Sequence, residues 1–329
     1  MHGRVKSVER AIDEKKTEND RIEDLNKVKM YKDIVSKVLR MKNESVYDAQ
    51  VALPLTRHLL LLNQEFHIVW GYRRAIILHM SKKEDITERS KMDLGKEELK
   101  LTFEALQRNP KSYAAWFHRQ WVLDRNLVEN VQKEIHLCEK LLELDERNFH
   151  CWNYRRYVAK KIGMGREEEL QFSTIKIEQN FSNYSALHHR TISLPTPLTK
   201  DIILEEINLV QQAVFTEPDD QSVWFYYRWL IQNAVDLGKN ETTSESFGLH
   251  SFIQSQIIWV QELYEMEASA KWVLVTLAAL HDRLCILTTN GADAQDTRDK
   301  SQALYRKLCD HIDPNHKHYY EYRIKHFTT

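Results

Sequence analysis

Two basic side chains stand where they could meet an anion. Lys111 and Arg147 occupy the same position in two copies of one short motif, each near the predicted start of a helix. Free backbone N–H groups and the positive end of the helix dipole favour a phosphate there. At this position the other copies carry Glu65, Ser182, Asp219, Glu267 and Asn315. The residues alone leave an alternative open: Lys111 could be a solvated charge in the first turn of a helix, because most lysines are surface residues.

The histidines and cysteines do not form a metal-ligand set. The chain has 15 histidines and 4 cysteines, without a Cys-x-x-Cys pair. His188 and His189 are neighbours on a predicted helix and point in different directions, while His311, His316 and His318 surround a turn. None of them gives the three or four ligands that zinc needs. The sequence therefore predicts no intrinsic metal site and cysteines that are small buried hydrophobes in a reducing compartment.

The elements that must position these residues are the helices of a repeat. Five segments share an Asn, Asp or Glu followed at nearly fixed offsets by Trp, or by Leu in the fourth, and then by Arg: NQEFHIVWGYRR, NPKSYAAWFHRQ, DERNFHCWNYRR, NFSNYSALHHRT and EPDDQSVWFYYR. Two degenerate copies begin at Glu265 and Asp313. The spacings from Trp70 to Tyr320 are 46, 36, 35, 37, 48 and 48 residues. Seven units of one motif span most of the chain.

Each unit is predicted to be a helical hairpin. Tyr113, Trp116 and Arg119 are three apart and so share one helical face, and the leading Asn or Asp is expected to cap that helix. A second amphipathic helix precedes each motif, and its apolar face can be buried only by the next unit. The sequence predicts an all-α superhelix, a crescent of about seven hairpins. One domain is expected over residues 1–329, with a tail and capping helix to about residue 45 and repeats from about residue 46.

Composition and charge narrow the class further. The chain has 8 Gly and 6 Pro, 14 of 329 residues, or about 4% where average usage gives about 12%. Such scarcity argues against sandwiches, barrels and most folds with glycine-rich nucleotide loops. The net charge of −1 gives no reason to expect nucleic acid or an anionic membrane as a partner. The longest apolar run, nine residues from Trp272 to Leu280, is too short to span a bilayer. We therefore expect a soluble, cytoplasmic protein.

The repeated arginines and tryptophans are more typical of structure than of ligand binding. Arginines recur in every well-formed repeat, which favours a ladder that bonds to neighbouring carbonyls and acids over an anion site. They are Arg73, Arg119, Arg155 and Arg190. A tryptophan stripe at repeat spacing indicates a core or a subunit interface and needs no cofactor.

The motif resembles the alpha-subunit repeat of the protein prenyltransferases, from about residue 60 to the end. In the fourth copy Leu187 replaces Trp, and in the fifth the arginine, Arg228, falls one residue late. Within the family, the strings MHGR, DERNFHCW, NFSNYS and DQSVWFYYRWL are similar to the branch that acts on Rab GTPases. The resemblance is to its compact form, without immunoglobulin-like or leucine-rich domains.

This resemblance implies a transferase that is active only as a heterodimer. A beta subunit would hold a catalytic Zn2+ and geranylgeranyl diphosphate, whose lipid is transferred to C-terminal cysteines of a Rab GTPase. An escort protein would present that GTPase. This chain would bind no cofactor by itself.

Individual site residues follow from the resemblance. Lys111, in the string Asn-Pro-Lys-Ser-Tyr, would stabilise the leaving diphosphate. Four residues would bind substrate at the mouth of the partner's cavity: Tyr113, Arg147, Asn148 and His150. For Tyr113, Asn148 and His150, packing at the start of a helix is the alternative. His2 is a candidate ligand to the partner's zinc, and a disordered tail is the alternative.

Two other functions remain open at this point. The chain could be the alpha subunit of a farnesyl or type I geranylgeranyl enzyme that acts on CaaX proteins. Family members of that kind tend to carry Gln at the position of Ala114, where it contacts the peptide carboxylate, and Ala114 therefore disfavours this function. The chain could also be a helical scaffold without catalytic activity.

Overall fold

The computed structural model describes residues 17–82, 86–240, 248–289 and 291–326, and within them the chain has no strand. The α-helices are α1 Glu18–Asn43, α2 Ala49–Leu62, α3 His67–Ser81, α4 Glu88–Arg108, α5 Tyr113–Asp124, α6 Lys133–Leu144, α7 Phe149–Ile162, α8 Arg166–Gln179, α9 Tyr184–Ser193, α10 Lys200–Thr216, α11 Gln221–Asn240, α12 Leu249–Met266, α13 Lys271–Leu287, α14 Gly291–Lys307 and α15 Lys317–Lys325. A π-turn at Leu308–Ile312 and a 3-10 turn at Pro314–His316 precede α15. None of the described helices is long and apolar enough to cross a membrane.

The predicted all-α fold of seven helical hairpins is confirmed. The pairs run from α2/α3 to α14/α15, and a motif copy lies at the turn inside each pair. Helix α1 packs against α2 and buries Val38 and Met41. The core includes the tryptophans Trp70, Trp152 and Trp224, each at most 2% exposed, so the motif's aromatic is chiefly a core residue.

The chain divides into two compact units. The first comprises Met1–Leu142 and Asn148–Ile162, and the second comprises Glu143–Arg147 and Gly163–Thr329. The first unit therefore holds hairpins α2/α3 and α4/α5, and the second holds those from α8/α9 onward. One domain over residues 1–329 stays a prediction.

The motif closes the turn of the hairpin, and its leading Asn does not cap the following helix as predicted. Asn109 is the C-terminal cap of α4, and its Oδ1 accepts the N–H of Lys111 at 3.2 Å. The N-cap of α5 is Ser112, whose Oγ accepts the N–H of Ala115 at 3.2 Å. The indole of Trp116 donates to the Pro110 carbonyl at 2.9 Å. Because a bound carbonyl and a capped helix start satisfy the polar groups of the turn, this short link needs no glycine.

The arginine ladder is confirmed for three of its members. Arg119 on α5 donates through Nε and Nη2 to Glu134 at 2.6 and 2.8 Å, and through Nη1 to the Leu99 carbonyl and Thr102. The guanidinium thus joins its own hairpin to the next one. Tyr154 from the next hairpin donates to the same Glu134 at 2.8 Å. The same two nitrogens make the equivalent pairs Arg73–Glu98 and Arg190–Glu206.

A glycine in the first unit permits a close approach of backbones. A Cβ added at Gly95 in α4 would lie 1.8 Å from the carbonyl oxygen of Leu127. We expect Gly95→Ala to destabilise the chain by about 1 to 3 kcal/mol, because α4 must move away from that loop. Gly71→Ala in α3 is the matched control, since its nearest neighbour would be Arg74 Nη2 at 3.9 Å. Urea unfolding measures both, and equal midpoints for the two variants would contradict this packing.

Candidate functional site

Lys111 lies on the exposed turn between α4 and α5, one residue before the N-cap Ser112. Its backbone N–H is bound by Asn109, while its side chain extends from a fixed turn. Asn148, at the start of α7 in the same unit, contacts this turn, because its Nδ2 donates to the Pro110 carbonyl at 3.1 Å. The prediction that Lys111 stands near a helix start is correct, and the turn that carries it is held from both sides.

Three rings, which we call the aromatic rim, lie beside this turn in the first unit: Tyr113, Phe149 and His150. The rings of Tyr113 and His150 meet edge to face with centroids 4.2 Å apart, and those of Phe149 and His150 are 3.9 Å apart. Tyr113 is 63% exposed and Phe149 is 48% exposed. The first turns of α5 and α7 thus bring two of the predicted substrate-binding residues together. An exposed aromatic group of this kind is typical of a binding surface.

His150 is a neutral imidazole at the base of the rim. Its side chain is buried, and Nε2 has no hydrogen-bond partner among the described residues. Burial lowers the pKa of His150, Glu65 opposes that shift, and Lys111 adds to it. Because both charged residues act on this ring, Glu65, Lys111 and His150 form one electrostatic group. A neutral imidazole with an unused nitrogen can donate or accept one further hydrogen bond.

Asn148, also predicted to bind substrate, is 3% exposed and caps α7. Its Oδ1 accepts the N–H groups of His150 at 3.1 Å and Cys151 at 3.3 Å, and its Nδ2 holds the Pro110 carbonyl. The amide therefore contributes to helix entry and holds the start of α7 against the Pro110 carbonyl. A direct contact between Asn148 and substrate stays a prediction.

The cap suggests a stability test. We expect Asn148→Ala to cost about 1 to 2 kcal/mol, because α7 loses its side-chain acceptor and the Pro110 carbonyl loses a donor. Asn148→Asp keeps the acceptor and is expected to lose less. Thermal unfolding compares the variants, and a destabilisation of Asn148→Asp equal to that of Asn148→Ala would contradict the cap.

Arg147 belongs to the second unit, whereas Lys111 belongs to the first. Its side chain is exposed, and its backbone N–H donates to Oδ1 of Asp145 at 3.2 Å. Its part in substrate binding stays a prediction.

The described residues hold no group of three or more His, Cys, Asp and Glu side chains that could bind a metal ion. His2, the candidate ligand to a partner's zinc, lies outside the described residues. Lys111 offers a cation, Tyr113 a ring and His150 an imidazole, and together they suit an anionic group attached to an apolar chain.

Several exposed aromatic residues escaped prediction. In the first unit they are Phe149 of the rim and Phe117, which is 57% exposed. In the second unit, Tyr184 is 56% exposed and Phe225 is 50% exposed. Both line a cavity of about 520 Å3, together with Trp229. Phe117 and Phe225 stand one residue after the motif's Trp position, and Tyr184 stands three before it, so the repeat alignment contained the signal. Exposed rings at repeat spacing indicate a surface that another protein covers.

Comparison with known proteins gives the family. The model of the protein prenyltransferase alpha subunit repeat matches residues 96–126, 131–162, 166–194 and 203–234. The chain is 34% identical to the Dictyostelium discoideum geranylgeranyl transferase type-2 subunit alpha, over 98% of both chains. It is 39% identical to the Rattus norvegicus protein of the same name over 71% of this chain, and the matched region spans 42% of that longer protein.

A solved structure shows the same fold. The chain superposes with a TM-score of 0.71 and 20% identity, over 91% of both chains, on a chain of Candida albicans protein geranylgeranyltransferase-I complexed with GGPP. At that identity the likeness concerns the fold alone. The sequence matches are more specific. The chain therefore belongs to the protein prenyltransferase alpha subunit family, among the alpha subunits of geranylgeranyl transferase type-2.

Proposed function

We propose that the chain is the alpha subunit of a cytoplasmic Rab protein geranylgeranyltransferase. It would transfer geranylgeranyl from geranylgeranyl diphosphate to C-terminal cysteines of Rab GTPases, which an escort protein presents. The observation that carries this proposal is the match over 98% of both chains to a relative named as the type-2 alpha subunit.

The chemistry of the first unit supports a role beside the leaving group. Departure of the diphosphate develops negative charge on an oxygen of the α-phosphate, and a nearby cation lowers the barrier for that step. Lys111 is an exposed cation on a fixed turn beside the aromatic rim. We place Lys111 at the diphosphate and Tyr113, with the rest of the rim, at the lipid and the peptide.

A beta subunit would complete the enzyme. The exposed aromatic residues of both units would pack on it, and it would supply the Zn2+ that activates the cysteine thiol. Ala114 is 3% exposed and offers no polar group to a peptide carboxylate. This supports a flexible double-cysteine tail as the substrate in preference to a CaaX tail.

The test is co-expression of the chain with a type-2, a type I or a farnesyl beta subunit. We expect a stable heterodimer with the type-2 beta subunit, and transfer to a Rab GTPase that ends in two cysteines when the escort protein is added. Transfer to a CaaX peptide with a type I or farnesyl beta subunit would contradict the proposal and favour the CaaX enzymes. Failure to bind any of the three beta subunits would favour a scaffold.

A further inference from the structure

A second cluster of cations lies in the second unit, in a cavity of about 520 Å3 between α11, α13, α14 and α15. Its lining includes four cations: the three arginines Arg228, Arg283 and Arg323 and the exposed Lys239. Among the described residues, Asp282 is the one carboxylate of the lining. The lining therefore carries a clear excess of positive charge.

The one carboxylate is already fully engaged. Asp282 accepts hydrogen bonds from Ser301, Tyr305 and Arg323, the second at 2.9 Å. Nη2 of Arg283 donates to the neutral Gln232 at 3.0 Å. Asp282 therefore balances Arg323, whereas Arg228 and Arg283 form no ion pair with the described residues.

Arg228 presents an empty binding edge. Its Nε and Nη2 are buried and have no hydrogen-bond partner among the described residues. These are the two nitrogens with which the ladder arginines bind a carboxylate, as Arg119 binds Glu134. A guanidinium edge of this kind binds carboxylate or phosphate oxygens in pairs. An unpaired buried guanidinium costs free energy, so an oxyanion at this edge would stabilise the fold.

The one-residue displacement of Arg228 explains why its edge is free. Tyr227 takes the ladder position three residues after Trp224, and its hydroxyl donates to Gln256 on α12 at 3.1 Å. A neutral pair thus replaces the usual arginine and glutamate. A shift of one residue rotates a side chain by about 100° around a helix. Arg228 consequently lies over the ring of Trp272, with Cζ 5.4 Å from its centroid, and on the cavity wall.

A second, independent donor lines the same cavity. Thr276 on α13 is 2% exposed, and its Oγ1 has no hydrogen-bond partner among the described residues. A buried hydroxyl without a partner is rare in folded proteins. Arg228 and Thr276 come from different helices, and both bring unused donors to one cavity.

We propose that this cavity is a phosphate site, in which the Nε/Nη2 edge of Arg228 and the hydroxyl of Thr276 bind the phosphate oxygens of a small phosphorylated ligand. Arg283 adds positive charge. A phosphate suits the site better than a carboxylate does, because its greater charge and additional oxygens match several cations and a hydroxyl at once. The volume of about 520 Å3 leaves room for a diphosphate or a phosphorylated small molecule.

The test is calorimetric titration of the full chain with inorganic diphosphate. We expect saturable binding, with a dissociation constant that rises at least about tenfold in Arg228→Gln and about three- to tenfold in Thr276→Val. Arg306→Gln is the matched control, because Arg306 is an exposed arginine of α14 outside the lining. Diphosphate should also raise the thermal midpoint of the natural chain more than that of Arg228→Gln, which monitors folding in the same samples.

Three outcomes would overturn the site: no binding at millimolar diphosphate, equal binding by Arg228→Gln and the natural chain, or equally tight binding of glutarate. Co-sedimentation with phosphatidylcholine vesicles that contain phosphatidic acid distinguishes the source of the phosphate. Binding of diphosphate without vesicle binding supports a soluble ligand. Vesicle binding that Arg228→Gln abolishes supports the same site with a lipid headgroup as its ligand.

Discussion

Replacing Lys111 with alanine in the assembled heterodimer is expected to slow geranylgeranyl transfer in a single turnover by about 10²-fold. The affinity for geranylgeranyl diphosphate should change little. A cation at the leaving group interacts more strongly with the charge of the transition state than with that of the bound substrate. Since Lys111 is exposed on a turn that its neighbours hold in place, its removal should leave the fold intact. Rapid-quench kinetics measures the chemical step, and lipid titration measures the affinity.

Two variants serve as controls for Lys111. Lys100→Ala removes an exposed lysine from α4 in the same unit and should leave the rate unchanged. Lys111→Arg keeps the positive charge and should retain more activity than Lys111→Ala. An unchanged chemical step in Lys111→Ala would contradict the proposed role. A loss of lipid affinity as large as the loss of rate would show that Lys111 only binds the substrate.

The largest effect on stability is expected at Glu98. This residue is fully buried, accepts two hydrogen bonds from Arg73 at 2.7 Å, and lies 2.9 Å from Nε2 of His118. Glu98→Gln should destabilise the chain by about 3 to 5 kcal/mol, because it leaves the buried guanidinium of Arg73 without a counter-charge. Glu104→Gln is the matched control: the Glu104–Arg57 pair has the same 2.7 Å distance but is 30% and 28% exposed. Its loss should cost at most about 1 kcal/mol.

The same residue predicts a dependence on pH. Burial opposes ionisation of Glu98, but the hydrogen bond from His118 and the charge of Arg73 outweigh it and lower the pKa from 4.5 to about 2. A lowered pKa gives stability that is complete above pH 4.5 and is lost as the pH falls towards 2. Urea unfolding should therefore show a smaller gap between Glu98→Gln and the natural chain at pH 3.5 than at pH 7. A gap that does not change with pH would mean that the pKa of Glu98 is the same in the folded and unfolded chains and would contradict this account.

The fold followed closely from the sequence. A single repeated Trp-x-x-Arg pattern predicted the seven hairpins, because each copy marks the turn inside one helix pair. The same pattern misplaced the helix cap. The leading Asn109 and the later Ser112 are both good caps by residue type, and only the backbone shows that the first ends α4 and the second begins α5.

The ladder and the site were predicted in part. Recurrence at every repeat identified the arginines as structural. Their partners Glu98, Glu134 and Glu206 lie on the first helix of the next hairpin, where charged residues are common and no motif marks them. The displacement of Arg228 was visible as a departure from the pattern. The cavity site at Arg228 could not be predicted from it, because that site depends on the positions of Tyr227 and Thr276, which local sequence does not give. Exposure of the rim likewise depends on how two turns pack.

The most direct test of the central claim is whether this chain supplies part of the active site. Single-turnover transfer to a double-cysteine Rab GTPase, with the escort protein present, is measured for the type-2 beta subunit alone, with this chain, and with its Lys111→Ala variant. We predict no product from the beta subunit alone, rapid transfer with the natural chain, and transfer about 10²-fold slower with the variant. Equal rates in all three samples would contradict the account.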